Sequence, residues 1–195
     1  CLGSMDLSLY ELVSAQCVFV NDGVYNKPTT ILRIEDRNGK KIYEAKQERE
    51  KVMSPTVAYE ILKMMIGVVQ GGTGSSLRGT WKPWGGVSAP TAGKTGTTQN
   101  NSDGWFMGLT PGLVTGVWVG AEDRSVRFKT MTWGQGARMA LPIYGYYMQK
   151  VYADRKLNWS KEDFAVPENY NPEEFKCEEI ATPDNGGLGG EEPDF

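Results

Sequence analysis

Three strand-like runs joined by short connections constrain the fold of this chain more than any other feature of its sequence. The runs are Ala92–Thr98, Gly104–Leu109 and Leu113–Val119, and each contains several β-branched or aromatic residues. Thr110-Pro111-Gly112 supplies a turn between the second run and the third. Connections this short join antiparallel neighbours, because a parallel pair needs a crossover of about a dozen residues or more. The sequence therefore predicts an antiparallel sheet.

Helix signals on both sides of these strands place the chain in the α+β class. Ser8-Leu9-Tyr10-Glu11 has the spacing of a capping box, in which a hydroxyl and a carboxylate satisfy free amides of the first helical turn. A second helix begins at Ser54-Pro55, a serine cap followed by a proline at the first helical position, and stops at Gly71-Gly72. A third helix is predicted from Leu141-Pro142 to about Val151. We expect an antiparallel sheet with these helices packed on it.

Two features that superficially resemble binding motifs have a simpler structural interpretation. The run Gly72-Thr73-Gly74-Ser75-Ser76 is rich in glycine, but it lacks the lysine and the spacing of a phosphate-binding loop. We interpret it as a flexible connector. Trp105 and Trp118 are residues of a type that stacks on sugars, yet large aromatic residues in strands usually belong to the core. Both are predicted to be core residues.

The composition excludes several classes of chemistry. The chain contains no histidine, which removes Ser-His-Asp and Cys-His catalysis and the most common ligand of catalytic zinc. Cys1, Cys17 and Cys177 are far apart and odd in number, so they indicate neither a disulfide framework nor a metal site. A net charge of −3 gives no sign of a nucleic-acid partner. The sequence predicts a protein that uses no metal and no cofactor.

Charge divides the chain into a body and a tail. Residues 154–195 carry 12 acidic and 4 basic side chains, whereas residues 1–153 are mildly basic. The tail also contains Gly186-Gly187-Leu188-Gly189-Gly190 and scattered prolines, a composition that does not favour a packed core. We therefore predict one domain over residues 1–153 and a solvated acidic tail over residues 154–195. No stretch of the sequence is apolar for long enough to span a membrane.

Within the predicted sheet, the run Lys94-Thr95-Gly96-Thr97-Thr98 carries residue types that acyl transfer needs. Alternate residues of a strand face the same side, so Lys94 and Gly96 face one way and Thr95 and Thr97 the other. On an edge strand, unpaired amides can stabilise an oxyanion, and glycine lets a substrate backbone approach closely. Threonine hydroxyls can bind a carboxylate that the lysine attracts. The alternative is a solvated strand with an exposed lysine.

The Lys-Thr-Gly triplet is one part of a three-part signature of serine acyl enzymes, with Ser-x-x-Lys and Ser-x-Asn as the other two. Neither of these two occurs in the chain. The serines at 54, 75 and 160, for example, are followed three residues later by Val57, Arg78 and Asp163. We therefore expect this chain to be a fragment that lacks the nucleophilic serine.

The sequence around the triplet extends the pattern in order along the chain. The segments that carry it are Tyr10–Ala15, Ser54-Pro55, Gly71–Gly74, Ala92–Thr98, Asp103–Phe106, Leu113–Gly120 and Ala140–Ile143. Together they resemble the C-terminal half of the transpeptidase domain in class A penicillin-binding proteins, the bifunctional peptidoglycan synthases. The similarity covers about residues 2–152. One departure is Gly104, where members of that family often have alanine.

The resemblance implies a partial β-lactamase/transpeptidase-like fold and an acyl-enzyme mechanism without metal or cofactor. A serine activated by a nearby lysine would attack the D-Ala-D-Ala bond of a peptidoglycan stem peptide, and β-lactams would imitate that substrate. The resemblance assigns the catalytic roles to Lys94 and Thr97. Lys94 would supply positive potential and relay a proton. The backbone amide of Thr97 would donate a hydrogen bond to the oxyanion. The residues that would bind the substrate are Thr95, Gly96, Thr97 and Thr98.

The same resemblance implies partners and a location. The nucleophile belongs to an N-terminal half of the domain that this chain lacks, so we expect the chain to pair with that half or to associate with itself. The parent protein would be a D,D-transpeptidase with a glycosyltransferase domain, anchored at the extracytoplasmic face of the inner membrane by a segment outside this chain. Two alternatives stay open: a β-lactamase or D,D-carboxypeptidase relative, and a non-catalytic module that binds the cell wall or a partner.

Overall fold

A computed structural model describes residues 5–175 of the chain. Its helices and strands, in chain order, are α1 Leu9–Gln16, β1 Val24–Asn26, β2 Arg33–Glu35, β3 Lys41–Glu44, β4 Arg49–Lys51, α2 Pro55–Gln70, β5 Ala92–Thr97, β6 Gly104–Thr110, β7 Leu113–Val119, α3 Met131–Gly134 and α4 Gly136–Ala153. The predicted capping box of α1 and the serine cap of α2 are both confirmed. Among the helices within residues 5–175, none combines the length and the apolar character needed to cross a bilayer.

The central sheet is antiparallel, as predicted, with the strand order β5-β6-β7. Gly93 of β5 lies opposite Gly108 of β6, which in turn lies opposite Thr115 of β7, so the three strands form one continuous ladder. The middle strand, β6, is the most buried of the three. Within the described residues β5 is an edge strand, and its outer side is not paired in the sheet.

Helix α4 packs on one face of this sheet and forms the main core. Phe106 on β6 and Tyr144 on α4 are fully buried, with ring centroids 4.9 Å apart. A Cβ atom at Gly108 would come within 2.2 Å of the Tyr144 ring, so a glycine is what lets the helix approach the strand. Burying one large apolar side chain contributes about 1.5–3 kcal/mol to the free energy of unfolding. This layer therefore holds β6 in place, and β5 with it.

A second core lies at the start of β5 and includes a segment that follows α4. Leu62 of α2 and Leu109 of β6 pack with Phe164, which is only 7% exposed. The expectation of a solvated tail from residue 154 onward is therefore wrong for this segment. The reason is that aromatic residues scattered through a polar stretch, such as Trp159 and Phe164, leave no periodic signal in the sequence. The rest of the predicted tail, residues 176–195, lies outside the described residues, and the domain boundary at residue 153 stays a prediction.

Helix α4 begins five residues earlier than the sequence predicts. Its first residue is Gly136, whereas the expected start was Leu141-Pro142. Pro142 lies inside the helix, where it cannot donate a hydrogen bond to the carbonyl of Arg138 four residues before it. Ala140 and Leu141, which are fully buried against the sheet, stabilise the helix across that gap. Pro142 was interpreted as a residue of the first helical turn, but it lies in the second turn of α4. The helix tolerates it there because the packing of α4 on the sheet outweighs the cost of the missing hydrogen bond.

Candidate active site

A groove of about 550 Å³ runs along β5 on the face of the sheet that α4 does not cover. Trp105 and Met107 of β6 face it, because side chains alternate along a strand and Phe106 between them faces α4. Leu9 and Leu12 of α1 form the opposite wall. The groove is therefore bounded by an edge strand, a sheet face and a helix.

The two tryptophans that the sequence assigns to the core lie at this groove. Trp105 and Trp118 are cross-strand neighbours on β6 and β7, with ring centroids 6.3 Å apart. Trp105 is half-buried, and Trp118 is 42% exposed. The prediction is wrong for Trp118 because this end of the sheet face is open to the groove instead of being covered by a helix.

The outer edge of β5 presents backbone amides. The N–H of Thr98 donates to the carbonyl of Asp103 over 3.1 Å, on the side of β6. Backbone groups of successive residues in an extended strand point to opposite sides, so the N–H of Thr97 points toward the outer edge, and that of Thr95 does likewise. Such an edge amide is the kind of donor that stabilises a developing oxyanion. The position that the sequence analysis assigned to an oxyanion donor thus lies on the open edge of the sheet.

Lys94, Thr95 and Gly96 all line the groove. Lys94 is exposed, and its Nζ donates to the carbonyl of Thr95 over 2.8 Å. Its charge therefore lies along the edge of the strand, where an anionic ligand would meet it. Gly96 has no side chain, so the strand backbone is accessible at this point. A Cβ there would lie 3.1 Å from Trp105 Cβ, which leaves little room for any other residue.

Each threonine of this strand segment contacts a different part of the fold. The Oγ1 atom of Thr95 lies 2.7 Å from that of Thr73, in the turn after α2. Thr97 Oγ1 accepts a hydrogen bond of 3.0 Å from the N–H of Gly136, the first residue of α4. Thr98 belongs to a polar cluster at the end of the strand. Of the threonines predicted to bind the substrate, Thr95 and Thr98 line the groove, while Thr97 touches α4.

Asp103 is the centre of that polar cluster. Its Oδ2 accepts hydrogen bonds from Thr98 Oγ1 at 2.7 Å and Ser102 Oγ at 2.9 Å. Its Oδ1 accepts from Trp118 Nε1 at 3.0 Å. Burial by itself raises the pKa of Asp103, but the hydrogen bonds from Thr98, Ser102 and Trp118 outweigh it and hold the pKa below its usual value. The carboxylate therefore ties the end of β5 to β7.

We expect the stability that Asp103 contributes to be lost in acid. A carboxyl group whose pKa is lowered by folding stabilises the protein above its unfolded-state pKa, about 4, and ceases to do so as the pH falls through the lower folded-state value. Asp103→Asn is expected to cost about 1 kcal/mol or less at pH 7, since the carboxylate is partly exposed to solvent. Urea unfolding of both proteins between about pH 7 and pH 3 measures the cost, which should shrink below about pH 4. A cost that does not change with pH would contradict this assignment.

Three residues that build the site were not assigned to it from the sequence: Thr73, Asp103 and Gly136. Thr73 was expected in a flexible connector, but the N–H of Gly74 beside it donates to the carbonyl of Val68 over 2.9 Å. The flexible interpretation is therefore wrong. The role of Asp103 could have been predicted from the sequence, because it lies five residues after Thr98 and can accept a hydrogen bond from that threonine across a turn. Thr73 and Gly136 are distant from β5 in sequence, and only the fold brings them to it.

The departure at Gly104 also has a structural explanation. A Cβ atom there would lie 2.4 Å from Met139 Cε and 3.0 Å from Met139 Cβ. Met139 of α4 therefore occupies the space that the methyl group of an alanine would need. Glycine in place of alanine at position 104 therefore affects the packing of α4 on the sheet and not the groove, which lies on the other face.

Residues 2–122 of the chain match the family model of the penicillin binding protein transpeptidase domain. The chain is similar to penicillin-binding protein 1A of Aquifex aeolicus, with 35% identity over 179 residues, and to that of Rickettsia typhi, with 30% identity over 176 residues. These alignments cover 89% and 78% of this chain but only 23% and 21% of the two relatives. The chain thus spans about a fifth of the length of the curated relatives that it matches.

Solved structures share the same fold. Penicillin-binding protein 1A from Haemophilus influenzae matches with a TM-score of 0.68 and 22% identity, over 83% of this chain and 28% of that one. The penicillin-binding protein PonA1 from Mycobacterium tuberculosis matches with a TM-score of 0.65 and 24% identity, over 82% of this chain and 41% of that one. At this identity the likeness shows the fold alone. The predicted α+β class and the partial β-lactamase/transpeptidase-like fold are confirmed.

Proposed function

We infer that this chain, which belongs to the family of penicillin-binding protein transpeptidase domains, forms the substrate-binding part of a peptidoglycan D,D-transpeptidase. The chain is a partial transpeptidase domain. The observation that carries the proposal is the open edge of β5, where Lys94, Thr95 and Gly96 line the groove and the N–H of Thr97 points away from β6. The reaction would cut the D-Ala-D-Ala bond of one stem peptide, hold the acyl group as a serine ester and pass it to an amine of a second peptide.

The amide of Thr97 would act on the oxyanion that forms when the serine attacks the peptide carbonyl. Removing one such donor typically costs a factor of about 10²–10³ in rate. Gly96 beside it would admit the backbone of the stem peptide. Lys94 would supply positive charge and relay a proton, since the serine proton must pass to the departing D-alanine amine. The serine itself would come from polypeptide outside this chain, because no serine here stands in a Ser-x-x-Lys sequence.

The hydroxyl groups of the strand would hold the terminal carboxylate of the substrate. Thr95 lines the groove and can donate to it, whereas Thr98 also lines the groove but gives its one hydroxyl proton to Asp103. Thr97 already accepts from the N–H of Gly136, so its own proton is the group that can donate to an anion. The hydrogen bonds to a charged acceptor are the stronger kind, worth about 1.5–3 kcal/mol each. Threonine side chains would thus select a ligand with a free carboxylate.

The partners and the location follow from this role. The ligands of the complete domain would be peptidoglycan stem peptides and β-lactams, and its main partner would be the other half of the same domain. Without that half, the apolar walls of the groove favour self-association. The domain would work on the extracytoplasmic side of the membrane, where its substrate lies. The match to a transpeptidase model favours this function over a β-lactamase, a carboxypeptidase or a purely non-catalytic module.

The proposal predicts how the chain responds to a penicillin. The chain alone is expected to gain no mass after incubation, because it has no activated serine. A longer polypeptide that carries the upstream serine together with this chain is expected to gain one acyl group. Intact-mass spectrometry measures both, with the hydrolysed penicillin as control. A stoichiometric adduct on a serine of this chain, or no adduct on the longer polypeptide, would overturn the proposed function.

A further inference from the structure

We propose that Thr73 is a positioning residue for Thr95, one of the threonines through which the groove would bind a carboxylate. The two hydroxyl oxygens lie 2.7 Å apart, between the turn that follows α2 and the open edge of β5. The proposal rests on the function proposed above, and it adds a residue from outside the Lys-Thr-Gly run. Thr73 itself is not among the residues that line the groove, so it acts through Thr95.

The turn that carries Thr73 is held firmly on the end of α2. The N–H of Gly72 donates to the carbonyl of Gly67 over 3.1 Å, and that of Gly74 donates to the carbonyl of Val68 over 2.9 Å. A Cβ atom at Gly72 would lie 2.9 Å from Val68 Cα, so the turn packs directly on the helix. The last turn of α2 belongs to the main core. Thr73 is therefore presented to β5 from a rigid element.

Thr95 needs such a contact because it lies on an edge strand. Within the part of the chain that the structure describes, the sheet holds β5 from one side only, through β6. A threonine side chain on such a strand can occupy more than one χ1 rotamer, and only some of them aim the hydroxyl at the groove. The contact with Thr73 selects one of these rotamers before a ligand arrives. The entropy of ordering the side chain then does not oppose binding.

The ligand sets the direction of this hydrogen bond. A hydroxyl group has one proton to donate and can accept two hydrogen bonds, whereas a carboxylate only accepts. With a carboxylate bound, Thr95 gives its proton to the ligand, and Thr73 must then donate to Thr95. The resulting chain runs from Thr73 to Thr95 to the carboxylate, and hydrogen bonds that run in one direction strengthen each other.

The test is the rate of acylation in the longer polypeptide that carries the nucleophilic serine. Thr73→Val keeps the shape of the side chain and removes the hydroxyl. We expect the second-order rate constant for a penicillin with a free carboxylate to fall by about tenfold. The rate for the methyl ester of the same penicillin should stay the same, since the ester has no carboxylate. Thr73→Ser should restore the wild-type rate, and Thr29→Ala, which removes an exposed hydroxyl outside the groove, should match the wild type.

The outcomes separate this proposal from the proposed function. An equal loss with the acid and the ester would show a purely structural role for Thr73 and would overturn the proposal. An unchanged rate in Thr73→Val, or no recovery in Thr73→Ser, would overturn it as well. If the wild-type polypeptide is not acylated at all, the proposed function fails, and the role of Thr73 fails with it.

Discussion

Phe106→Ala is expected to lower the free energy of unfolding of the chain by about 3–5 kcal/mol, the usual cost of removing a fully buried phenylalanine ring. Phe106 has no exposed surface, and its ring packs against Tyr144 of α4. A Cβ atom at Gly93 would lie 2.8 Å from the ring, so the ring also fills the space beside β5. Gly93 has no side chain that can move into the cavity. The expected loss is a large part of the total stability of a domain, about 5–15 kcal/mol.

The matched control for this substitution is Phe128→Ala. Phe128 is 47% exposed, so its removal is expected to change the free energy of unfolding by about 0.5 kcal/mol or less. Denaturant unfolding followed by circular dichroism measures both variants under the same conditions. Equal costs at the two positions would show that the packing of Phe106 between β6 and α4 is not what holds the sheet together.

The central sheet was predictable because its signals are local. Thr110-Pro111-Gly112 lies between two runs of strand-forming residues, and a connection of that length permits only an antiparallel hairpin. The caps of α1 and α2 were predictable for the same reason, since Ser8 and Ser54 each lie three residues before the amide that they bond. In each case the interacting groups lie within a few residues of each other.

The parts that were not predictable depend on contacts between distant residues. Thr73 meets Thr95 only because α2 ends beside the edge of β5. Gly136 donates a hydrogen bond to Thr97, 39 residues earlier, because the first residue of α4 packs against the end of β5. Phe164 lies in a polar segment and is buried by packing against α2. Its burial could not be predicted, because the apolar residues around it follow no periodic pattern. Sequence patterns report local periodicity, so they miss partners that only the tertiary fold brings together.

Gly136→Ala is expected to destabilise the chain by about 3 kcal/mol, since overpacking costs about 1–3 kcal/mol and more where backbone must move. An added Cβ atom would lie 2.3 Å from the carbonyl oxygen of Gly96 and 2.4 Å from that of Trp105. Both atoms are backbone, and they belong to two strands that pair with each other. Neither can retreat without breaking the ladder, so the start of α4 must move away. That movement would also break the hydrogen bond from Gly136 to Thr97.

The matched control adds the same methyl group where there is room for it. Apart from the adjoining backbone of α2 itself, no atom lies within 4 Å of a Cβ placed at Gly67 in that helix. Gly67→Ala is therefore expected to stabilise the chain by about 0.5–1 kcal/mol, because alanine favours the helix over glycine. Thermal unfolding measures both variants. A lower melting temperature for Gly136→Ala and a higher one for Gly67→Ala would show that position 136 requires glycine because α4 approaches β5 closely there. If both variants were stabilised, α4 would not touch the strand as described, and Thr97 would have to be held in some other way.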